Sequence, residues 1–179
     1  IVKKLKNDGC EVTIENMVEH LNDIAGIRII CSFMSDIYPI ADMIARQADI
    51  TVLHVKDYIK YPKTNGYKSY HMVVTIPVYL SEGKRDTKVE IQIRTIAMDF
   101  WASLEHKIAY KFEGKAPDYL ERELKSCADM VDMLDMKMFS LNQAIMAVEE
   151  EERRVEEEKR REREKAEKRQ EELAGNGPT

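Results

Sequence analysis

The sequence lacks the features that mark secreted, zinc-binding and membrane-spanning proteins. Of its 179 residues only three are cysteines, and Cys10, Cys31 and Cys127 follow neither a zinc-binding nor a disulfide spacing. No apolar run approaches the roughly 20 residues needed to cross a bilayer, and no signal-peptide pattern is present. We therefore expect free or buried thiols and a cytoplasmic location, away from membranes. Because the chain begins at Ile1 rather than Met, we also expect a further segment before it.

Common nucleotide-binding motifs are missing as well. The chain has no Walker A sequence, no kinase glycine-rich loop with its partner motifs, and no Gly-Ser turn followed by Asp-x-Asp. The formal net charge is −5, which gives no general signal for binding nucleic acid. Any site for an anion must therefore be a local cluster of basic residues.

Charge is concentrated near the C-terminal end. Between Glu149 and Glu172, 21 of 24 residues are charged, 12 of them acidic and 9 basic. Before this stretch, apolar residues recur at steps of four and three after Pro117, which is the spacing of a heptad seam. The seam fits packing on the body of the protein or contact with another copy. Its members are Leu120, Leu124, Cys127, Val131, Leu134, Met138, Leu141, Ile145 and Val148.

The spacing of apolar residues along the chain predicts an α+β fold, in which a mixed sheet is flanked by helices and followed by a long C-terminal helix. We expect a body over residues 1–115, that long helix over 116–148, and a helical or disordered charged tail over 149–179. Within the body, strands are predicted at about 27–33, 50–59, 72–80 and 88–94. Helices are predicted near the N-terminus and over 35–48 and 96–111.

The strand Lys88–Arg94 alternates polar and apolar residues without a break. Successive side chains of a strand point to opposite faces, so one face is apolar. The pattern fits an ordinary half-buried strand, or a strand that presents charged groups to a ligand. The polar face carries Lys88, Glu90, Gln92 and Arg94.

Two other stretches could bring ligand-binding groups to that face. The apolar strand near 27–33 contains Arg28, and a charge in a buried strand needs an ion partner or a ligand. Asp23 lies just before it. The loop Tyr61–His71 combines turn residues with two lysines, a histidine and three tyrosines, groups that suit phosphates and bases. The same residues would also fit a surface turn that binds no ligand. Asp23 and Glu90 could also hold Mg²⁺ together with substrate phosphates.

Three blocks in this order resemble a known family. They are Asp23-Ile-Ala-Gly-Ile-Arg28, the loop Tyr61–His71, and Glu90-Ile-Gln-Ile-Arg-Thr95 followed by Phe100-Trp-Ala-Ser-Leu-Glu-His106. Over about residues 1–111 the chain resembles the RelA/SpoT synthetase domain, whose compact single-domain form is the small alarmone synthetase. The family pattern also has an Arg-x-Lys pair that would precede Ile1.

The resemblance implies a nucleotidyltransferase-like sheet and a GTP pyrophosphokinase of the stringent response. Such an enzyme transfers pyrophosphate from ATP to the 3′-hydroxyl of GTP or GDP, making (p)ppGpp and AMP. It also implies Mg²⁺ as cofactor, a homotetramer, and regulation by single-stranded RNA or (p)ppGpp. Two alternatives stay open: transfer to another acceptor such as the 3′ end of tRNA, and a guanine-nucleotide- or RNA-binding regulator without turnover.

The resemblance also implies roles for individual residues. Asp23 and Glu90 would be the Mg²⁺ carboxylates, and Glu90 would activate the 3′-hydroxyl. On the ATP side, Arg28 would stack on adenine and Lys4 would bind phosphates. The acceptor GTP would be bound by the guanine-stacking Tyr67, by Gln92, and by Lys63, Lys68, His71 and Asn65.

Overall fold

The computed structural model describes residues 2–7, 9–112 and 116–175, with side chains other than those of 109, 167, 168 and 170–175. The chain divides into two compact units, Ile1–Met136 and Lys137–Thr179. Within the described ranges, no helix is both long and apolar enough to cross a bilayer. The elements in chain order are α1 (Val2–Asn7), α2 (Ile14–His20), β1 (Ala25–Cys31), α3 (Met34–Ala45), β2 (Thr51–Asp57), β3 (Tyr70–Leu80), β4 (Gly83–Thr95), α4 (Ile96–Lys111) and α5 (Asp118–Gly175).

The four strands form one mixed sheet in the order β1-β4-β3-β2. Strand β1 is parallel to β4, while β3 is antiparallel to both β4 and β2. This is the expected α+β class with a mixed sheet, flanking helices and a long C-terminal helix. The register places Arg28 and His71 opposite Gln92, on either side of it. Because laterally paired residues point to the same face, these three side chains share one face of the sheet.

The opposite face of the sheet carries the main core. Alternate residues of β3 and β4 are buried there, and helix α3 covers them with Ile37 and Ala41. Both strands therefore follow the period-two pattern that separates an apolar from a polar face. The buried strand residues of this cluster are Cys31, Met72, Val74, Val89, Ile91 and Ile93.

Strand β1 differs from its prediction in position and in burial. It begins two residues earlier than expected, and most of its residues are exposed or half-buried, with Ile27 at 49% and Ile30 at 43%. The physical reason is its place at the edge of the sheet, where β4 is its one neighbour among the described strands. The interpretation of Arg28 as a charge within a buried strand is therefore wrong, since half of its side chain is exposed.

The hairpin between β3 and β4 is also tighter than expected. The strands predicted over 72–80 and 88–94 are separated by seven residues, but Leu80 pairs directly with Gly83, which leaves a two-residue turn. Gly83 has φ +118°, a conformation that L side chains rarely adopt, so glycine permits the early start of β4. Pro77 lies beyond the last β2 partner of β3, where a missing N–H costs no inter-strand hydrogen bond on that side.

Within Ile1–Met136, the first part of α5 packs against the body through a narrow stripe. Ala128 and Asp135 are buried, and Leu124 and Val131 are half-buried against Trp101 of α4. The Trp101 indole N–H donates to the Leu124 carbonyl at 3.0 Å. Only part of the predicted seam lies in this stripe. Other members of the predicted seam are exposed, namely Cys127, Leu134, Met138, Leu141, Ile145 and Val148.

Candidate active site

The polar face of the sheet gathers four of the predicted site residues into one hydrogen-bonded circuit. The Gln92 amide donates to Glu90 Oε2 at 2.8 Å, and His71 Nδ1 lies 3.2 Å from Glu90 Oε1. On its other side, His71 Nε2 lies 2.8 Å from the Tyr67 hydroxyl. Arg94 closes the circuit, because it donates to both the Tyr67 hydroxyl at 2.6 Å and Gln92 Oε1 at 2.8 Å.

The circuit determines which proton each group carries. A carboxylate can only accept, so His71 Nδ1 carries the proton toward Glu90 and Nε2 accepts from the Tyr67 hydroxyl. This arrangement needs a neutral imidazole. Burial lowers the pKa of His71 below its ordinary 6.5, with Arg94 and Lys63 acting in the same direction and Glu90 opposing them. His71 and Gln92 therefore hold the two Glu90 oxygens in fixed positions.

Arg94 is the central cation of this site. It is 5% exposed, and beyond the circuit it donates to Ser69 Oγ at 3.2 Å and to Asp99 Oδ1 at 3.1 Å. Arg28 reaches the same Asp99 oxygen at 3.3 Å from β1. The first turn of α4 thus supplies one carboxylate that joins Arg28 to the Glu90 circuit.

The loop before β3 lays aromatic rings beside the circuit. Lys63 places its ammonium 4.7 Å from the Tyr67 ring centroid and 4.9 Å from that of Tyr58. The Arg94 guanidinium is 5.2 Å from the Tyr67 centroid. Tyr58 also makes edge contacts with both Tyr67 and His71. The ring predicted to stack on guanine is therefore held among cations.

Two other predicted residues of this loop contact helices instead of the circuit. Asn65 donates from its amide to Glu105 Oε1 of α4 at 3.3 Å. Lys68 forms an ion pair with Asp132 of α5 at 2.5 Å. Between them Gly66, at φ +88°, approaches α5 so closely that an added Cβ would lie 2.5 Å from the Ala128 Cβ. Glycine is required here by both conformation and space.

The remaining predicted residues, Lys4 and Asp23, form an exposed ion pair with each other. This pair joins α1 to the segment just before β1. Among the described side chains, no three His, Cys, Asp or Glu groups come together in a way that could hold a metal ion. A metal ion here would therefore depend on two carboxylates and on ligands brought by the substrate.

Sequence reasoning missed Asp99, Glu105 and Asp132, and it gave Arg94 only a supporting electrostatic role. All three acidic residues lie on helices, where spacing shows a helix surface but not which neighbour it meets. Arg94 carried a usable signal, because it follows Glu90 and Gln92 on the same strand face.

A family comparison identifies the chain. The family described as a region found in RelA / SpoT proteins matches residues 1–115. The chain belongs to the RelA/SpoT family. This confirms the resemblance stated from the three sequence blocks, and the Glu90 circuit lies within the matched region.

Individual relatives of this RelA/SpoT chain are bacterial. The chain is 50% identical to GTP pyrophosphokinase YwaC of Bacillus subtilis (strain 168) over 145 residues, covering 81% of this chain and 69% of YwaC. It is 38% identical to GTP pyrophosphokinase YjbM of the same strain over 132 residues, covering 74% of this chain and 63% of YjbM. The chain thus spans about two thirds of the length of these relatives.

A solved structure supports the fold of the chain. The small alarmone synthetase 1 from Bacillus subtilis bound to its product pppGpp superposes with a TM-score of 0.74 at 35% identity. The match covers 80% of this chain and 72% of that one. The mixed sheet with its flanking helices and long C-terminal helix is therefore the fold of this family.

Proposed function

We propose that the protein is a GTP pyrophosphokinase that makes (p)ppGpp. The 3′-oxygen of GTP or GDP attacks the β-phosphorus of ATP, the bond from that phosphorus to the α-phosphate oxygen breaks, and AMP leaves. The observation that carries this proposal is the Glu90 circuit, in which two neighbours hold both carboxylate oxygens on a face that also presents Tyr67 and Arg28. The names of YwaC and YjbM support the same activity.

In this reaction Glu90 takes the proton of the attacking 3′-hydroxyl. A carboxylate within hydrogen-bond reach is a suitable base when its geometry is fixed. His71 and Gln92 each use one lone pair of a Glu90 oxygen, which leaves further lone pairs for the hydroxyl and for a cation. Since His71 Nδ1 already donates to Glu90, His71 positions the carboxylate rather than receiving its proton.

The donor set also fits Mg²⁺, which binds oxygen ligands and usually keeps substrate phosphates in its shell. Asp23 and Glu90 are the carboxylates that would hold it. When bound, Mg²⁺ neutralises phosphate charge in the transition state. Asp23 would exchange its ion pair with Lys4 for this role, which frees the Lys4 ammonium for the ATP phosphates.

On the donor side, Arg28 is half exposed and pairs with Asp99, and it would turn from this partner to stack on adenine. On the acceptor side, Tyr67 would stack on guanine, while Lys63, Lys68 and His71 would lie along the phosphates and Gln92 and Asn65 would line the site. Lys63 and Lys68 are engaged by aromatic rings and by Asp132. We propose that the phosphates draw both ammonium groups away from these partners.

The reaction is tested directly by incubating the purified protein with Mg²⁺, ATP and GDP or GTP. We expect AMP together with a guanine nucleotide that has gained a 3′-pyrophosphate, identified by mass. Omitting Mg²⁺ should abolish both products. Label transferred from ATP to tRNA, with none in GTP or GDP, would instead favour a tRNA-modifying enzyme, and nucleotide binding without AMP release would favour a regulator.

The stacking role of Tyr67 predicts a difference between two substitutions. Tyr67→Ala should weaken GTP binding by about 10- to 100-fold, because base–aromatic stacking is worth about 1–3 kcal/mol. Tyr67→Phe keeps the ring and should stay within about threefold, although it loses the hydroxyl that bonds His71 and Arg94. Calorimetric titration with GTP measures both. Tyr61→Ala, an exposed tyrosine of the same loop, is the control, and unchanged affinity in Tyr67→Ala would refute the stacking role.

We further propose that the protein forms a cytoplasmic homo-oligomer, a tetramer, through α5. Residues 1–115 would be the synthetase domain, 116–148 the packing and contact helix, and 149–179 a charged tail. Regulation by single-stranded RNA or (p)ppGpp stays a prediction. The support for assembly is an apolar stripe on the Lys137–Thr179 unit, where Met138, Leu141, Ile145 and Val148 are all more than half exposed.

Assembly through this stripe predicts a multiple of the 20.8 kDa chain mass. Light scattering at micromolar concentration should report a tetramer for the natural protein. Replacing Leu141 and Ile145 together by glutamate should reduce the mass, because it places charges in an apolar contact. Replacing the nearby Gln143 and Ala144 by glutamate is the control. A natural protein that scatters as a monomer would contradict the proposal.

A further inference from the structure

Asp99, on the first turn of α4, is shared by two arginines with different predicted roles. Its Oδ1 lies 3.3 Å from Nη1 of Arg28 and 3.1 Å from Nη1 of Arg94. Arg28 is predicted to stack on adenine, whereas Arg94 closes the Glu90 circuit. Asp99 thus joins the donor side of the site to the acceptor side through a single oxygen.

The two arginines differ in how freely they can move. The Arg94 side chain is 6% exposed, and it also donates to Gln92 and to the Tyr67 hydroxyl, so its guanidinium is held on several sides. The Arg28 side chain, on the edge strand β1, is 52% exposed. Of the two, Arg28 is therefore the one that a ligand can draw away from Asp99.

The position of Asp99 is fixed by the start of its helix. Thr95 caps α4, because its hydroxyl oxygen accepts from the Met98 backbone N–H at 3.1 Å. The same hydroxyl donates to Asp135 Oδ2 of α5 at 2.7 Å, and Thr95 is fully buried. Since Thr95 directly follows Arg94 in the chain, the helix start holds Asp99 beside that arginine when Arg28 moves.

We infer that Asp99 competes with adenine for the Arg28 guanidinium and thereby limits how tightly the donor site holds ATP and AMP. In the free protein the guanidinium pairs with Asp99, so a nucleotide must break this ion pair before it can stack on Arg28. After transfer, the return of Arg28 to Asp99 favours the departure of AMP. The inference rests on the proposed function, because it places adenine on Arg28.

Arg94 makes this competition reversible. When Arg28 leaves, the Asp99 carboxylate keeps Arg94 as its partner and is not left as an unpaired charge. The cost of releasing Arg28 is therefore that of one partly exposed ion pair, which a nucleotide can overcome. Asp99 contacts no nucleotide in this role, and it is a positioning residue that acts through Arg28.

The competition predicts that Asp99→Asn binds adenine ligands more tightly than the natural protein does. Asparagine keeps the size of the side chain but loses its charge, so Arg28 is released. Calorimetric titration with adenosine and with AMP, in the absence of GTP, should show affinities about three- to fivefold higher, the upper range for a partly exposed ion pair. Because adenosine is uncharged, a general loss of negative charge from the protein cannot by itself raise its affinity.

Two further variants show whether the gain depends on Arg28. In an Arg28→Gln background, Asp99→Asn should leave adenosine affinity unchanged, because no guanidinium remains for the two to compete for. Asp86→Asn removes an exposed aspartate of β4 that pairs with Lys84, and it should bind adenosine as the natural protein does. A salt series needs no variant. Higher ionic strength screens the half-exposed ion pair and should raise the adenosine affinity of the natural protein.

Weaker adenosine binding in Asp99→Asn would show that Asp99 orients Arg28 for stacking, and it would overturn the inference, as would an unchanged affinity. The same gain in the Arg28→Gln background would also overturn it, and so would an adenosine affinity that does not rise with salt. Adenosine binding that meets these expectations without AMP release would overturn the proposed reaction and leave the inference standing. AMP release with an unaltered adenosine affinity in Asp99→Asn would do the reverse.

Discussion

Replacing Glu90 by glutamine is expected to lower the rate of AMP release by at least about 100-fold, the usual contribution of a general base. Glutamine keeps the shape of the side chain but cannot take a proton. In the natural protein, His71 Nδ1 and the Gln92 amide each donate to one oxygen of Glu90. A glutamine has only one oxygen, so one of these two donors would face its NH2 group instead of an acceptor. The variant thus loses the base together with one hydrogen bond from a neighbour.

The measurement is AMP release at saturating ATP and GTP, with GTP affinity determined separately by calorimetry. The rate should fall while the affinity changes by no more than about threefold, which separates lost chemistry from lost binding. Glu82→Gln, in the exposed turn before β4, is the matched control and should retain full activity. A Glu90→Gln protein within tenfold of the natural rate would remove Glu90 from the mechanism.

Periodicity predicted those parts of this fold that depend on local patterns. Helix α4 has the predicted bounds, and β4 shows the predicted alternation of apolar and polar residues. Both follow from the spacing of side chains along one element. The burial of β1 could not be read in this way, because its apolar residues do not reveal that it lies at the sheet edge.

The residues of the candidate site also differ in whether local sequence patterns reveal them. Residues on one strand face or in one loop, such as Glu90, Gln92 and Tyr67, can be grouped from sequence and from family resemblance. Their partners on other elements cannot, since Asp99 and Glu105 are ordinary polar positions of α4 until the packing of that helix is known. Lys68 is an example of a residue whose site role was predicted from sequence but whose partner was not, because the structure pairs it with Asp132 of α5.

Removing Arg94 is expected to have the largest effect on stability. In Arg94→Met, the Tyr67 hydroxyl and Gln92 Oε1 lose their donor, and Asp99 loses its buried partner. Asp99 is 26% exposed and keeps its ion pair with Arg28, so the loss comes mainly from the unpaired Tyr67 and Gln92 groups and should be about 1–3 kcal/mol of unfolding free energy. Denaturant unfolding should show a loss of this size. Arg85→Met, an exposed arginine of the same strand, should show almost none.

Arg94→Lys separates the structural role of Arg94 from its effect on the reaction. Lysine keeps the charge beside Asp99 but cannot form the guanidinium fork that also reaches Ser69, Gln92 and Tyr67. Without that donor the Gln92 amide is free to turn its oxygen toward Glu90, which would displace the base. We therefore expect a folded protein whose turnover falls about tenfold or more, because small displacements of a base are costly. GTP affinity should stay within about threefold, since Tyr67 keeps its ring. Equal losses in turnover and in GTP affinity would instead show that Arg94 acts mainly by supporting the acceptor loop.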